Sequence, residues 1–294
     1  MGIFKSGFVA VVGRPNVGKS TLLNSLLGQK IAIVSNKPQT TRNTIQAVLT
    51  REDGQIVFLD TPGIHKPKHK LGEYMVKSAQ SALSDVDIIC MLVESTEWWT
   101  TDNIILEHIG QTDTPVFLVA NKIDLISPEE LEEFCNLARN KYPFAEVIPV
   151  SAQTGENLEL LVDKLINYLP EGPKYYPDDW ITDHPERFIV AEFIREQVLL
   201  NTQEEIPHSV AVDIDEISEQ PSGLVKIRAT IYVERDSQKG IIIGKRGSML
   251  KTIGTEARKQ IEQLLATKVF LDIWVKVKKD WRNKAGSLHE FGYQ

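Results

Sequence analysis

The chain has 294 residues, 42% of them apolar and 25% charged, with a formal net charge of −7. This is the composition of a globular protein long enough to bury two cores. Two cysteines give neither a disulfide framework nor a metal-binding spacing and suit a reducing cytosol, and the lack of an apolar run of about 18 residues excludes a membrane-spanning helix.

The first apolar run, Phe8 to Val12, is short and predicts a strand that feeds a loop rather than a secretory leader. Near-continuous apolar runs recur at 55–60, 87–93, 115–120 and 146–150, with helical patterns over 19–27, 72–84, 102–110, 128–140 and 157–168 between them. Strands hydrophobic on both sides, alternating with helices, predict a mostly parallel sheet covered on both faces.

Chemistry gathers at the ends of these strands. Gly13-Arg14-Pro15-Asn16-Val17-Gly18-Lys19-Ser20 follows the first strand and, with Thr21, opens a helix. Backbone amides at a helix N-terminus surround phosphate oxygens; Lys19 should reach the β- and γ-phosphates and Ser20 should offer its hydroxyl to Mg2+. Asp60-Thr61-Pro62-Gly63 ends the second run, where a carboxylate can hold magnesium and the Gly63 amide can meet a γ-phosphate. Asn121-Lys122-Ile123-Asp124 ends the fourth. A carboxylate at Asp124 pairs with the two donors on the guanine edge, and adenine would leave it buried and unpaired. Asn121 should brace the loop, the Lys122 stem should lie along the base, and Ser151-Ala152 should bring a backbone amide to the guanine O6.

This constellation resembles the translation-factor-like P-loop GTPases. The resemblance implies that 37–43 is a first switch, with Thr41 as second magnesium ligand and Thr40 as the alternative, and that 64–72 is a second switch. The glutamine that orients water in Ras-like enzymes is replaced by Ile64, which predicts slow hydrolysis. In related GTPases an asparagine at the position of Asn16 binds a potassium ion that stabilises the transition state; bracing of the loop is the equal alternative. Lys19, Thr41, Gly63 and Asn16 are therefore the expected catalytic group, with GTP and GDP as ligands.

Residues 171–184, rich in proline and aromatics, read as a linker between domains at 1–170 and 185–294. Beyond it a helix is predicted over 185–202, strands over 209–217 and 224–233, helices over 237–243 and 248–265, and a strand over 269–277. Residues 235–294 hold 13 Lys/Arg against 6 Asp/Glu, while 183–234 hold 4 against 11. An anionic partner therefore belongs with the last sixty residues. There Ile243-Gly244-Lys245-Arg246-Gly247, with Lys251 one turn on, forms a Gly-x-x-Gly loop, which in KH domains clamps the backbone of about four nucleotides. The tail from Val275 to Lys284 offers charge and the Trp281 indole to nucleic acid or anionic lipid, or is simply a strand end with a solvated rim.

Over essentially its whole length, through Lys37-Pro38-Gln39-Thr40-Thr41-Arg42, Asp60-Thr61-Pro62-Gly63-Ile64-His65 and the Gly-x-x-Gly domain, the sequence resembles the Era family. That resemblance implies an α/β P-loop GTPase domain with a mostly parallel six-stranded sheet, then an α+β type II KH domain of order α-β-β-α-α-β. It also implies a mainly monomeric cytoplasmic protein that binds 16S ribosomal RNA near its 3′ end, assists assembly of the 30S subunit, and associates peripherally with the membrane.

Overall fold

The computed structural model describes residues 3–37, 39–62, 69–83, 85–110 and 112–293. By its internal contacts the chain divides into two compact units: Met1–Ala32, Thr41–Lys66 and Met75–Asp183 form the first, and Ile33–Thr40, Pro67–Tyr74 and His184–Gln294 the second.

The first unit is built on strands β1 (Lys5–Val12), β2 (Ile45–Thr50), β3 (Gly54–Asp60), β4 (Ile88–Glu94), β5 (Val116–Asn121) and β6 (Glu146–Pro149). They lie in the order β2-β3-β1-β4-β5-β6. All neighbours are parallel except β2, which runs antiparallel to β3 in the register Val48 opposite Val57. Val9, Ala10, Val11 and Val12 are each fully buried, as a central strand covered on both faces requires. Helices α1 (Lys19–Leu27), α3 (Thr100–Ile109), α4 (Pro128–Arg139), α5 (Leu158–Tyr168) and the part of α2 (Lys70–Ser81) from Met75 on complete the alternation. Ser127 caps α4 by accepting from the Glu130 amide, while the Glu130 carboxylate accepts from the Ser127 amide. The strand β2 escapes the five apolar runs read from the sequence because Gln46 and the edge position break its hydrophobicity.

The proline-rich stretch after α5 is held along this sheet. Gln55 accepts from the Tyr175 and Tyr176 amides and donates to the Tyr176 carbonyl, and the Val48 amide donates to the Ile181 carbonyl.

The second unit contains α6 (Glu186–Asn201), α7 (Ile206–Ser209), β7 (Ala211–Glu219), β8 (Val225–Val233), α8 (Asp236–Ile243), α9 (Ser248–Leu265), β9 (Val269–Val277) and α10 (Ala285–Glu290). Its sheet has the order β7-β8-β9, antiparallel then parallel. One face is a core of Ile227, Ala229, Ile231 and Val233 from β8, Phe193 and Val198 from α6, and Ile253, Ala257 and Ile261 from α9. The tail differs from the sequence reading. Trp281 is fully buried and donates its indole N–H to the Ser209 carbonyl at 2.8 Å, so it is a structural anchor and offers no ring to RNA or lipid. Among the described residues no helix is long and apolar enough to cross a membrane.

Candidate functional site

In the first unit the loops at the C-terminal ends of β1, β3, β5 and β6 converge, because parallel strands place their C-terminal ends along one edge. The strand order reverses at β1, whose neighbours are β3 and β4, and ligands of open parallel sheets bind at such a reversal.

The phosphate loop leaves β1 and turns into α1 through Gly18, at φ +104°. A Cβ there would lie 2.3 Å from Asn121 Nδ2, so both the backbone angle and the space require glycine. Lys19 is buried and its Nζ donates to the Gly13 and Arg14 carbonyls at 2.9 and 3.1 Å. Burial lowers its pKa to about 8, with Asp60 opposing the shift and Arg14 adding to it. Val17 is fully buried beneath the loop, whereas Asn16 is exposed at φ +68°. Thr21 and Pro15 are half-buried.

Three oxygens meet beside Lys19. Ser20 Oγ lies 3.1 Å from Asp60 Oδ2 and 3.2 Å from Thr41 Oγ1, and Thr41 Oγ1 lies 3.5 Å from the same carboxylate oxygen. The Thr40 hydroxyl instead donates to the Lys37 and Ser35 carbonyls at 2.6 and 3.3 Å. Asp60 is fully buried, and its Oδ1 has no hydrogen-bond partner among the described residues. Burial raises its pKa to about 6, against Lys19 and the two hydroxyls. Two hydroxyls and an under-satisfied carboxylate form the hard oxygen set that Mg2+ takes. Thr61 is tied to β1 through its hydroxyl, which donates to the Val11 carbonyl at 3.0 Å, and Pro62 is buried beside it. Gly63, Ile64 and His65 lie outside the described residues.

The loops that follow β5 and β6 are cross-braced. Asn121 Nδ2 donates to the Val17 carbonyl at 2.8 Å, and its Oδ1 accepts from the Ala152 amide at 2.9 Å. Ser151 Oγ donates to Asp124 Oδ1 at 2.5 Å. Asp124 is exposed, where the sequence argument has it buried: it sits on the 3-10 turn Ile123–Leu125, one step beyond the strand end. Lys122 Nζ pairs with Glu94 at 3.0 Å.

Two roles were not visible in the motifs. The Arg14 guanidinium pairs with Glu94 at 3.5 Å and Asp102 at 3.4 Å and lies 4.8 Å from the Trp99 ring centre. Its side chain therefore fixes the loop to β4 and α3. Glu94, at the end of β4, contacts both Arg14 and Lys122 and so links the phosphate loop to the base-reading loop. A lone glutamate closing an apolar run was the only sequence signal for this.

In the second unit α8 ends at Gly244, where φ is +72° and a Cβ would lie 2.7 Å from Met249 Cβ. Arg246 is left-handed at φ 53°, and α9 starts after Gly247. Lys245, Arg246 and Lys251 are exposed and Ile243 is half-buried. Beside the loop lies a cleft of about 350 Å³ bordered by Leu250, Lys251, Arg258, Phe270, Leu271 and Ile273. Apolar walls with a cationic rim suit unstacked bases and their phosphates.

Residues 8–122 match the family model described as 50S ribosome-binding GTPase, and residues 205–282 match the KH domain model. The chain is 42% identical to a point variant of Era from Aquifex aeolicus bound to GDP.AlF4−, with 98% of this chain and 99% of that one covered at a TM-score of 0.95. The chain belongs to the Era family. A second Era structure, in complex with MgGDPNP and nucleotides 1506–1542 of 16S ribosomal RNA, is 43% identical over 99% of both chains, again with a TM-score of 0.95. As an Era-family protein the chain is a P-loop GTPase with a magnesium-dependent nucleotide site, followed by a KH domain.

Proposed function

We propose that this protein is a GTP-controlled RNA-binding switch: it hydrolyses GTP slowly, holds small-subunit ribosomal RNA near its 3′ end, and assists 30S assembly. The observation that carries this is the pairing, in one chain, of the Ser20–Thr41–Asp60 oxygen set with a cationic cleft beside Gly244–Gly247. A likeness over nearly the full chain to an Era bound to MgGDPNP and 16S nucleotides supports it.

In this reading Gly13, Gly18, Lys19 and the neighbouring loop amides take the phosphates, and Ser20, Thr41 and Asp60 hold Mg2+. Held there, Mg2+ would supply positive charge to the β- and γ-phosphate oxygens. Asp124 reads guanine while Asn121, Ser151 and Ala152 shape its pocket. Gly63 senses the γ-phosphate. Ile64 cannot orient a water by hydrogen bonding, so turnover is slow; Asn16 either braces the loop or would hold a potassium ion that supplies the missing charge. Equal hydrolysis rates in sodium and potassium would remove the potassium from this scheme. The GTPase domain is taken as 1–170, the linker as 171–184 and the KH domain as 185–294; the protein works as a cytoplasmic monomer with peripheral affinity for anionic membrane.

The test is RNA affinity measured with GDP and with a non-hydrolysable GTP analogue, using RNA of the 16S 3′ region. Unequal affinities support the switch; equal ones reduce the GTPase domain to a passive partner. Lys245→Glu with Arg246→Glu should weaken RNA binding and spare basal hydrolysis, and should flatten the salt dependence by about one unit per lost phosphate contact.

A further inference from the structure

The sheet of the second unit has a second face that the Gly-x-x-Gly loop does not use and that meets the cleft at Phe270. Successive residues of a strand point to opposite faces. Val269, Leu271, Ile273, Val275 and Val277 of β9 belong to the core side, so Phe270, Asp272, Trp274 and Lys276 stand on the other. Phe270 is 55% and Trp274 57% exposed, whereas Trp281 and Phe193 of the same unit are 0% and 1% exposed.

The surroundings of the two rings are specific. In the neighbouring strand Lys226 stands opposite Phe270, Arg228 opposite Asp272 and Thr230 opposite Trp274. The Trp274 indole N–H donates to Asp272 at 3.1 Å, which orients the ring. Arg228 pairs with Asp272 at 3.6 Å and with Glu216 at 3.7 Å, and Asp213 stands opposite Thr230 on the same face. Asp215 accepts from the Thr230 hydroxyl at 2.8 Å. Lys226 and Lys276 flank the pair of rings. Phe270 also borders the cleft beside Gly247, and β9 is the edge strand of its sheet.

We propose that single-stranded RNA held in the cleft continues over the β9 edge onto this outer face, where bases stack on Phe270 and Trp274. This rests on the reading of the second unit as an RNA clamp. A KH-type clamp holds backbone and apolar base edges, whereas aromatic platforms add stacking that any base can supply. The rings are four residues apart, roughly 13 Å along a strand. RNA fits better than a protein helix or an acyl chain for two reasons. The Asp272–Arg228 ion pair interrupts the apolar surface between the rings, so no contiguous patch exists for an apolar partner. The face is also continuous, through Phe270, with the cleft that the clamp reading already fills.

The experiment uses the full-length protein and two RNAs from the 16S 3′ region: one of four nucleotides, matched to the clamp, and one extended by four nucleotides at each end. Trp274→Ala should weaken binding of the longer RNA by about 5- to 150-fold and leave the short one unchanged. Trp274→Tyr should recover most of that loss, and ultraviolet crosslinking of the longer RNA should mark Trp274. Wild-type affinity of Trp274→Ala for the longer RNA overturns the proposal. So does equal loss of both RNAs, or an effect confined to binding of anionic phospholipid vesicles or to oligomeric state. If Lys245→Glu with Arg246→Glu leaves both RNAs bound as in wild type, the clamp reading itself fails and this inference with it.

Discussion

Replacing Asp60 by Asn tests whether the magnesium site is built against the stability of the fold. Asp60 is fully buried, with one carboxylate oxygen near the Ser20 and Thr41 hydroxyls and the other without a partner among the described residues. Burial raises its pKa from 3.8 to about 6 even with Lys19 nearby. A raised folded-state pKa means that the folded protein binds this proton more tightly than the unfolded chain. The stabilising contribution is complete below about pH 4 and is lost as pH rises through 6. The rise from 3.8 to about 6, with a tenfold change in proton affinity worth about 1.36 kcal/mol, sets that loss at about 3 kcal/mol at neutral pH. Asparagine has nearly the same volume and does not ionise. Urea unfolding in EDTA without nucleotide should therefore find Asp60→Asn more stable than wild type near neutrality, by up to about 3 kcal/mol, with the curves converging near pH 4. Magnesium and GDP should reverse the order, because only wild type gains the full linkage stabilisation. A stability difference that does not change with pH, or undiminished magnesium-dependent nucleotide affinity in the variant, would refute this reasoning.

Other perturbations probe the rest of the site. Asp124→Asn should weaken GTP binding by about 10²- to 10⁴-fold, two charge-assisted hydrogen bonds, and favour xanthosine triphosphate; competition binding decides, and unchanged selectivity removes Asp124 as the base reader. Asn121→Ala strands the buried Val17 carbonyl and Ala152 amide, so stability should fall by about 2–4 kcal/mol and GDP dissociation should quicken, as urea titration and stopped flow would detect. Lys19 has its pKa lowered to about 8, so above that pH the nucleotide-free protein loses the proton that bound phosphate must restore. GDP affinity should then fall by up to about tenfold per pH unit, and calorimetry in buffers of different ionisation enthalpy should show proton uptake.

Much of this was legible because the nucleotide motifs sit at strand ends and the strands are strongly apolar. The helix Lys19–Leu27, the helix Ser248–Leu265 and the strand Val269–Val277 follow their sequence patterns to the residue. The misses have physical causes. Ile45–Thr50 is an edge strand, half covered and interrupted by Gln46, so it lacks the apolar run of a central strand. Ala285–Glu290 is six residues long and contains Gly286, too short for a helical period to register. Trp281 looked available because it stands among Lys278, Lys279, Arg282 and Lys284, yet its ring is buried and its N–H bonded to Ser209, 72 residues earlier in the chain. No local pattern encodes such a contact. Arg195, Glu196 and Gln197 are likewise buried in α6, and three consecutive polar residues carry no local sign of it.

Contacts of that long range also give the nucleotide site its character. Arg14 meets Glu94, Glu94 meets Lys122, and Asn121 meets both Val17 and Ala152. The loops that would hold phosphate and base are thus fixed to one another by side chains far apart in sequence. Preorganisation of this kind favours retention of the nucleotide, since little ordering remains to oppose binding. It supplies no group to the water that must attack the γ-phosphate. A rigid cradle combined with an isoleucine at position 64 therefore separates holding the nucleotide from consuming it. That separation is what the proposed switch requires: the bound state would last long enough for Thr41, beside Asp60, to report on the γ-phosphate before it is lost.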